Sequence, residues 1–346
     1  VLVNRKIFFK SLKRCLPEVE KGTNATLDGF DSFFFHDGFV STYNARCAMS
    51  VPSFAEGFNC SLNATRFCNV ISKLIGDDLE LMVENWKVNI TCGKFNATLP
   101  TQSSKIEPLL QALALNDIKF SPLPEEFMDA VCLCNIPKDK SAKRGLFFSN
   151  NQITSSDGGR CNVYTLSKKI PTFYLDLPEV KSLLKFGKPI EISSSKSRVH
   201  FRAEDGSVLS CATRNLKEFP IELINKWVSE KGTDLLQGKL PDGTKDSLAR
   251  VCAASESSSF ISCAIMTFSD KELEIRTAGA DGMATELLPS EIEVDRKISF
   301  EIRPDSVEDL PDGEIGVRLS EVLGKFLFTL SCGTFKKCIF VKTSTK

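Results

Sequence analysis

Residues 58–99 read FNCSLNATRFCNVISKLIGDDLELMVENWKVNITCGKFNATL, and the spacing of apolar residues changes twice within them. Phe58, Cys60 and Leu62 alternate as in a strand, Phe58 to Leu62. From about Ala64 to Leu74 the apolar positions Phe67, Val70, Ile71 and Leu74 recur at helical spacing, with Arg66, Asn69 and Lys73 on the opposite side. Alternation then resumes over Leu79 to Glu84 and Lys87 to Cys92 and closes at Phe95 to Leu99. The stretch is therefore a strand, a helix and three strands.

This order recurs along the chain. Upstream lie an amphipathic helix, Lys6 to Leu16, and alternating strands over Phe33 to Tyr43. A second passage has a helix at Glu125 to Cys134, strands Gly145 to Phe148 and Gln152 to Ser155, the turn Asp157-Gly158-Gly159-Arg160, and strands Cys161 to Leu166 and Thr172 to Leu175. It continues with a helix Pro178 to Phe186 and strands Ile190 to Ser193, Arg198 to Ala203 and Val208 to Thr213, with an Asp205-Gly206 hairpin signal before the last. A third has a helix at Lys245 to Ser255, strands Phe260 to Phe268 and Glu272 to Thr277, and a turn at Asp281-Gly282. Strand Lys297 to Ile302, a short helix Pro304 to Leu310, and strands Glu314 to Leu319, Lys325 to Leu330 and Lys337 to Lys342 complete it. Three passages spaced by roughly 115 residues suit three domains. The polar breaks Pro100 to Ser104 and Phe219-Pro220 set their bounds at 1–104, 105–220 and 221–346. The expected class is α+β, each domain carrying two helices on antiparallel sheets.

Composition limits the function. The 346 residues carry 44 basic and 44 acidic side chains and two histidines, which argues against a uniformly basic protein coating nucleic acid. No apolar run approaches the roughly 20 residues that span a bilayer. Lys10, Lys13 and Arg14 interrupt the apolar opening stretch before it can form a secretory h-region, so a cytoplasmic location is expected. None of the thirteen cysteines forms a Cys-x2-Cys zinc pair, and Cys15, Cys47, Cys68, Cys211, Cys263 and Cys338 stand among apolar neighbours, as buried reduced thiols do. Five sequons, at Asn24, Asn59, Asn63, Asn89 and Asn96, keep open an alternative: a secreted or surface β-rich glycoprotein with disulfides, acting as a binding module. His36 and His200 read as structural, no nucleophile elbow or phosphate loop appears, and no enzyme activity, metal or cofactor is expected.

The helices have two faces. In the first, Phe8, Phe9, Leu12, Cys15 and Leu16 oppose Lys6, Lys10 and Lys13, with Arg14 beside them; in the later helix of the second repeat, Val180, Leu183 and Leu184 oppose Lys181, Lys185 and Lys188. Loop residues Lys138, Lys140, Lys143 and Arg144 add positive charge, whereas the third repeat offers only Lys245 and Arg250. Neutrality is thus a sum of opposed faces, some of them suited to phosphates.

The threefold order, with Leu146-Phe147-Phe148 followed by Thr154-Ser155-Ser156-Asp157-Gly158-Gly159-Arg160, resembles the bacterial-type DNA polymerase sliding clamp; Gly159 and Cys161 replace a histidine and a leucine of the family's turn, a divergence that suits a phage-encoded member. The resemblance implies a homodimeric ring around double-stranded DNA, read without sequence preference, that tethers the polymerase. It places Lys6, Lys10, Lys13, Arg14, Lys21, Arg66, Lys73, Lys138, Lys140, Lys143, Lys181 and Lys185 toward DNA. It further implies a pocket for short peptides of polymerase and clamp loader, lined by Leu146, Gly158, Gly159, Arg160, Ile339, Phe340 and Val341. The C-terminal Lys342-Thr343-Ser344-Thr345-Lys346 and the segment Ile221 to Leu240 depart from the family pattern.

Overall fold

Three of the helices start where a strand ends on a residue that caps them. In the computed structural model, which describes residues 1–19, 29–103, 105–113, 118–135, 145–229, 232–254, 263–278, 282–308, 310–322 and 324–343, Asn4 ends strand Leu2–Asn4 and accepts the N–H groups of Lys6 and Ile7. Asn63 ends Cys60–Asn63 and accepts from Arg66, and Asp176 ends Arg160–Asp176 and accepts from Leu177. Each side-chain oxygen satisfies an N–H that the first helical turn leaves without an intrahelical partner. The α-helices are α1 (Arg5–Cys15), α2 (Ala64–Lys73), α3 (Glu107–Leu113), α4 (Phe127–Cys134), α5 (Leu177–Phe186), α6 (Ile221–Ser229), α7 (Thr244–Ala253) and α8 (Asp305–Glu308).

The chain divides into two units. The first comprises residues 1–128, 148–150 and 168–218. Its eight-stranded antiparallel sheet runs Cys60–Asn63, Ser32–His36, Phe39–Tyr43, Cys47–Pro52, Val208–Ala212, Arg198–Ala203, Pro189–Ser194 and Ser121–Pro122. One face is covered by α1, α2, α5 and the first turn of α4, where Phe8, Phe35 and Phe67 meet at 5.7–6.1 Å and Phe127 meets Phe201 at 6.0 Å. On the other face Phe34, Ala48 and Val208 pack against Leu109, Ala112 and Leu113 of α3. A four-stranded sheet of Leu2–Asn4, Asp78–Glu84, Lys87–Cys92 and Phe95–Pro100 completes this unit.

The second unit comprises residues 129–147, 151–167 and 219–346. Its six-stranded sheet runs Gly145–Ser156, Arg160–Asp176, Phe335–Val341, Lys325–Cys332, Gly316–Val322 and Thr233–Lys239, the first two strands also contributing residues to the first unit. A four-stranded sheet, Met283–Pro289, Glu272–Ala278, Ala264–Ser269 and Ile298–Ile302, packs against α7. Leu248, Val251, Phe268, Phe300 and Phe328 belong to the unit's core.

Several elements differ from the sequence reading. Gly145–Ser156 and Arg160–Asp176 are each continuous where two short strands are expected. Lys168 and Lys169, which read as a break, are an exposed stretch of strand beside buried Ile170. Strands Cys47–Pro52, Thr233–Lys239 and Met283–Pro289 and helices α3 and α6 are additional. Asp281 and the start of the strand expected from Phe260 lie outside the described residues.

Two carboxylates are buried in the first unit. Glu18 accepts hydrogen bonds from Ser182 and Asn44, at 2.8 and 3.3 Å, and Glu179 lies 3.4 Å from the Arg46 guanidinium. Burial raises both carboxyl pKa values above 4.5 in spite of these partners. A raised carboxyl pKa means that the folded state holds its proton more tightly than the unfolded chain, so this contribution to stability is complete at low pH and is lost as pH rises through the folded pKa. Urea denaturation across that window should show stability falling less steeply with pH in Glu179→Gln than in the parent. Replacing Phe35 by Ala should cost about 3–5 kcal/mol, read as a lower denaturation midpoint, because its ring contacts four other buried aromatics whose cavity cannot fully collapse.

Candidate functional site

Lys6, Lys10 and Lys13 on α1, Arg66 and Lys73 on α2, and Lys181 and Lys185 on α5 are all exposed, while Phe8, Leu12, Phe67, Ile71, Val180 and Leu183 turn toward the sheet. The helices thus present basic side chains on the side away from the eight-stranded sheet. Local pairing thins that charge. Lys6 reaches Asp77 at 3.0 Å, Arg14 forms an ion pair with Asp205 of a neighbouring hairpin, and Lys13 lies over the Phe9 ring at 4.7 Å. Among the described residues, Lys10, Arg66, Lys73 and Lys181 have no ion pair. In the second unit, Lys245 Nζ donates to the Leu310 carbonyl at 2.5 Å and Arg250 pairs with Glu286 at 2.5 Å, so both basic residues of α7 are committed within the fold. Lys21, Lys138, Lys140, Lys143 and Arg144 lie outside the described residues.

A second feature is a cleft of about 280 Å³ in the second unit. One wall is the turn after Gly145–Ser156. There Asp157 Oδ1 accepts the N–H groups of Gly159 and Arg160 at 3.1 and 2.8 Å, and its Oδ2 holds Arg160 Nε and Nη2, each at 2.8 Å. Gly158 sits at φ +87°, a conformation that side-chain-bearing residues rarely adopt. Phe340 donates its N–H to the Gly159 carbonyl at 3.0 Å, fixing the turn to strand Phe335–Val341. Gly159, Arg160, Ile339 and Phe340 line the cleft with Cys263, Glu301, Ile302, Arg303, Ser306 and Lys342. Of the other expected lining residues, Leu146 and Val341 are buried away from it and Gly158 stays exposed on the turn. The missed wall, Glu301 to Ser306, is a junction where strand Ile298–Ile302 runs into α8, the same kind of junction that Asn63 and Asp176 mark in sequence. The cleft joins an apolar floor to a rim of Asp157, Glu301, Arg160, Arg303 and Lys342, and so suits a short peptide with apolar anchors and a charged group.

The described thiols are all free, and most are buried; Cys263, expected to be buried, is exposed in the cleft wall. Two sequons have a role in the fold. Asn89 and Thr98 face each other across two strands, as do Thr91 and Asn96, and each pair shares a hydrogen bond of 2.9–3.0 Å. A third, Asn63, caps α2. His36 bonds Ser41 Oγ at 3.0 Å, and His200 is buried in the eight-stranded sheet, where desolvation, aided by Arg198, lowers its pKa to about 4. No described helix is long and apolar enough to cross a membrane.

Solved structures carry the same fold over nearly the whole chain, that of the bacterial DNA polymerase sliding clamp. A DNA polymerase III beta subunit from Eubacterium rectale superimposes with a TM-score of 0.80 at 14% identity, covering 99% of this chain and 98% of that one. The Bacillus subtilis sliding clamp gives 0.80 at 13%, covering 99% of each. The Helicobacter pylori beta clamp bound to a DNA ligase peptide gives 0.77 at 12%, again covering 99% of each. No family profile and no curated relative matches the sequence.

Asp157 organises the cleft turn, and its carboxylate and the Arg160 guanidinium are both largely buried. Asp157→Ala would remove the carboxylate that holds the buried Arg160 guanidinium and should destabilise the chain, read as a lower midpoint in urea melts. Asp157→Asn, which keeps the backbone acceptor, should cost less.

Proposed function

We propose that this chain is a DNA sliding clamp: two copies close head to tail into a ring around duplex DNA, without catalytic chemistry of their own, and tether a polymerase. The observation that carries this reading is the way its strand edges pair. Strand Cys47–Pro52, ending the first half of repeat one, pairs with Val208–Ala212, the last strand of repeat two. Arg160–Asp176, at the corresponding place in repeat two, pairs with Phe335–Val341, the last strand of repeat three. The corresponding strand of repeat three is Met283–Pro289 and the last strand of repeat one is Phe95–Pro100; both are sheet edges. Each edge carries exposed apolar side chains, Met283 and Leu287 on one and Phe95 on the other, and Phe95 adjoins a groove lined by Val70, Lys73 and Leu74 of α2. An open edge with apolar side chains is a template for pairing, and a head-to-tail contact that closes makes a ring. Three domains, 1–104, 105–220 and 221–346, follow from this repeat logic.

In such a ring Lys10, Lys13, Arg66, Lys73, Lys181 and Lys185 face phosphates without reading bases, which permits sliding. The topological link, rather than affinity, retains the protein, in keeping with its zero net charge. The 280 Å³ cleft takes short peptides of polymerase and clamp loader; the Helicobacter pylori clamp of similar fold was solved with a DNA ligase peptide. The site of action is the replication fork in the cytoplasm.

Loaded onto nicked circular DNA by spontaneous ring opening at high protein concentration, the protein should stay bound and be released when the circle is linearised; equal retention on linear DNA overturns the reading. Reversing Lys10, Lys73 and Lys181 to Glu should weaken retention on the circle without altering the melting profile. Sedimentation should show a dimer that Phe95→Asp or Leu287→Asp converts to monomer, and a parent chain that is monomeric at high concentration counts against the ring.

A further inference from the structure

Cys161 and Cys338 stand directly opposite each other on the antiparallel strands Arg160–Asp176 and Phe335–Val341, both almost fully buried. Phe340 N–H donates to the Gly159 carbonyl and Thr165 N–H to the Thr334 carbonyl. Hydrogen-bonded pairs alternate along an antiparallel ladder, so Cys161 and Cys338 form one, with Cα atoms about 5.5 Å apart. Disulfides span Cα separations of about 4.4–6.8 Å. Opposed residues of a ladder project to the same face of the sheet, so the two thiols are neighbours there, and Thr329 Oγ1 donates to Cys338 Sγ at 3.8 Å.

The space beside Cys338 distinguishes this pair. Cys338 lines a recess of about 240 Å³ whose walls include Trp227 and Val228 of α6, Thr329, Arg318 and Lys336. Arg318 is tied to Asp234 at 2.5 Å, which leaves Lys336 as the cation beside the thiol. The neighbouring Cys161 thiol lowers the Cys338 pKa against the opposing effect of burial, with smaller contributions from Thr329 and Lys336, while the same contact raises Cys161. The chain holds a second directly opposed pair, at a non-hydrogen-bonded position of its ladder, since Ala212 N–H donates to the Arg46 carbonyl one place along. Cys47 and Cys211 face each other with sulfurs 3.7 Å apart, but they are enclosed, and burial together with the nearby Glu18 and Glu179 opposes ionisation of Cys211.

We propose that Cys338 is a redox-modification site: it attacks an anionic disulfide of the glutathione type admitted to the recess beside Lys336, and Cys161 resolves the adduct into a Cys161–Cys338 disulfide. In the first step the Cys338 thiolate forms a bond to one sulfur of the incoming disulfide, whose S–S bond breaks and releases one thiolate. In the second, Cys161 loses its proton and attacks Cys338 Sγ, expelling the other thiolate. The protein pair gives up two electrons and two protons, and the reagent is reduced to two thiols. The product joins covalently the two strands that carry Arg160 and Ile339 of the cleft. This inference is independent of the clamp reading.

The test uses the full chain with its two exposed thiols removed by Cys132→Ser and Cys263→Ser, treated with glutathione disulfide, quenched with acid and mapped by peptide mass. The expected result is the loss of two titratable thiols, with the Cys161 and Cys338 peptides joined, Cys47 and Cys211 still reduced, and full reversal by dithiothreitol. Adding Cys161→Ser should stop the reaction at one glutathionyl group on Cys338; adding Cys338→Ser should abolish it. If either serine variant misfolds, time-resolved mapping of the parent background decides, since the Cys338 adduct must precede the disulfide. A first adduct on Cys161, oxidation of Cys47–Cys211 at an equal rate, or no reaction overturns the proposal.

Discussion

An antiparallel strand edge with nothing beside it leaves a row of backbone N–H and C=O groups unpaired, and most of this fold follows from how those edges are covered. The last strand of repeat two covers the edge at Cys47–Pro52, and the last strand of repeat three covers the edge at Arg160–Asp176. Those two pairings join residues more than a hundred positions apart, so they cost loop closure that only burial on both faces offsets. The buried faces then dictate the helices. The sheet that contains Cys47–Pro52 needs α1, α2 and α5 on one side and α3 on the other, and the capped strand-to-helix junctions at Asn4, Asn63 and Asp176 turn the chain sharply onto the first of these.

The same double burial decides which elements the sequence made legible. Strands with one wet face, such as Lys87–Cys92, alternate and were readable, and so were the helices whose lysines oppose a phenylalanine stripe. Cys47–Pro52 is covered on both faces, so five of its six residues are buried and no alternation marks it. Met283–Pro289 alternates only between half-buried and exposed positions, because it is a sheet edge that leaves Met283 and Leu287 in solvent. A closer sequence signal did exist. Cys92-Gly93-Lys94-Phe95 and Cys332-Gly333-Thr334-Phe335 are matching two-residue hairpins with glycine at positive φ, and they align the last strands of repeats one and three. In the cleft, the Asp157 to Arg160 turn was legible because its chemistry is local, whereas the wall from Glu301 to Ser306 comes from a junction more than a hundred residues away.

Charge shows a similar limit. A helical wheel locates basic side chains but not the acids that reach them from elsewhere in the chain: Asp77 follows α2 and meets Lys6 on α1, while Asp205, in a hairpin of the second repeat, meets Arg14. Exposed pairs of this kind contribute little to stability, about 0–1 kcal/mol, yet each removes one positive charge from the face the helices present. The residual field therefore rests on fewer residues than the wheel suggests, those on α2 and α5 together with Lys10 and Lys13.

Why cysteine should stand at both strand pairings follows from the same geometry. Directly opposed positions inside a doubly covered sheet demand side chains that are small, apolar and able to satisfy one another, and two thiols meet all three requirements with a weak S–H contact. What separates the pairs is their surroundings. Around Cys211, burial first, then the contact with Cys47 and the nearby carboxylates, disfavour the thiolate, and the pair is held as packing. Around Cys338 a recess remains beside Lys336, and the neighbouring Cys161 thiol favours the thiolate. The same residues, directly opposed on paired strands, thus acquire different chemistry because reactivity is set by the charges and the space around a sulfur, neither of which is written in the strand that carries it.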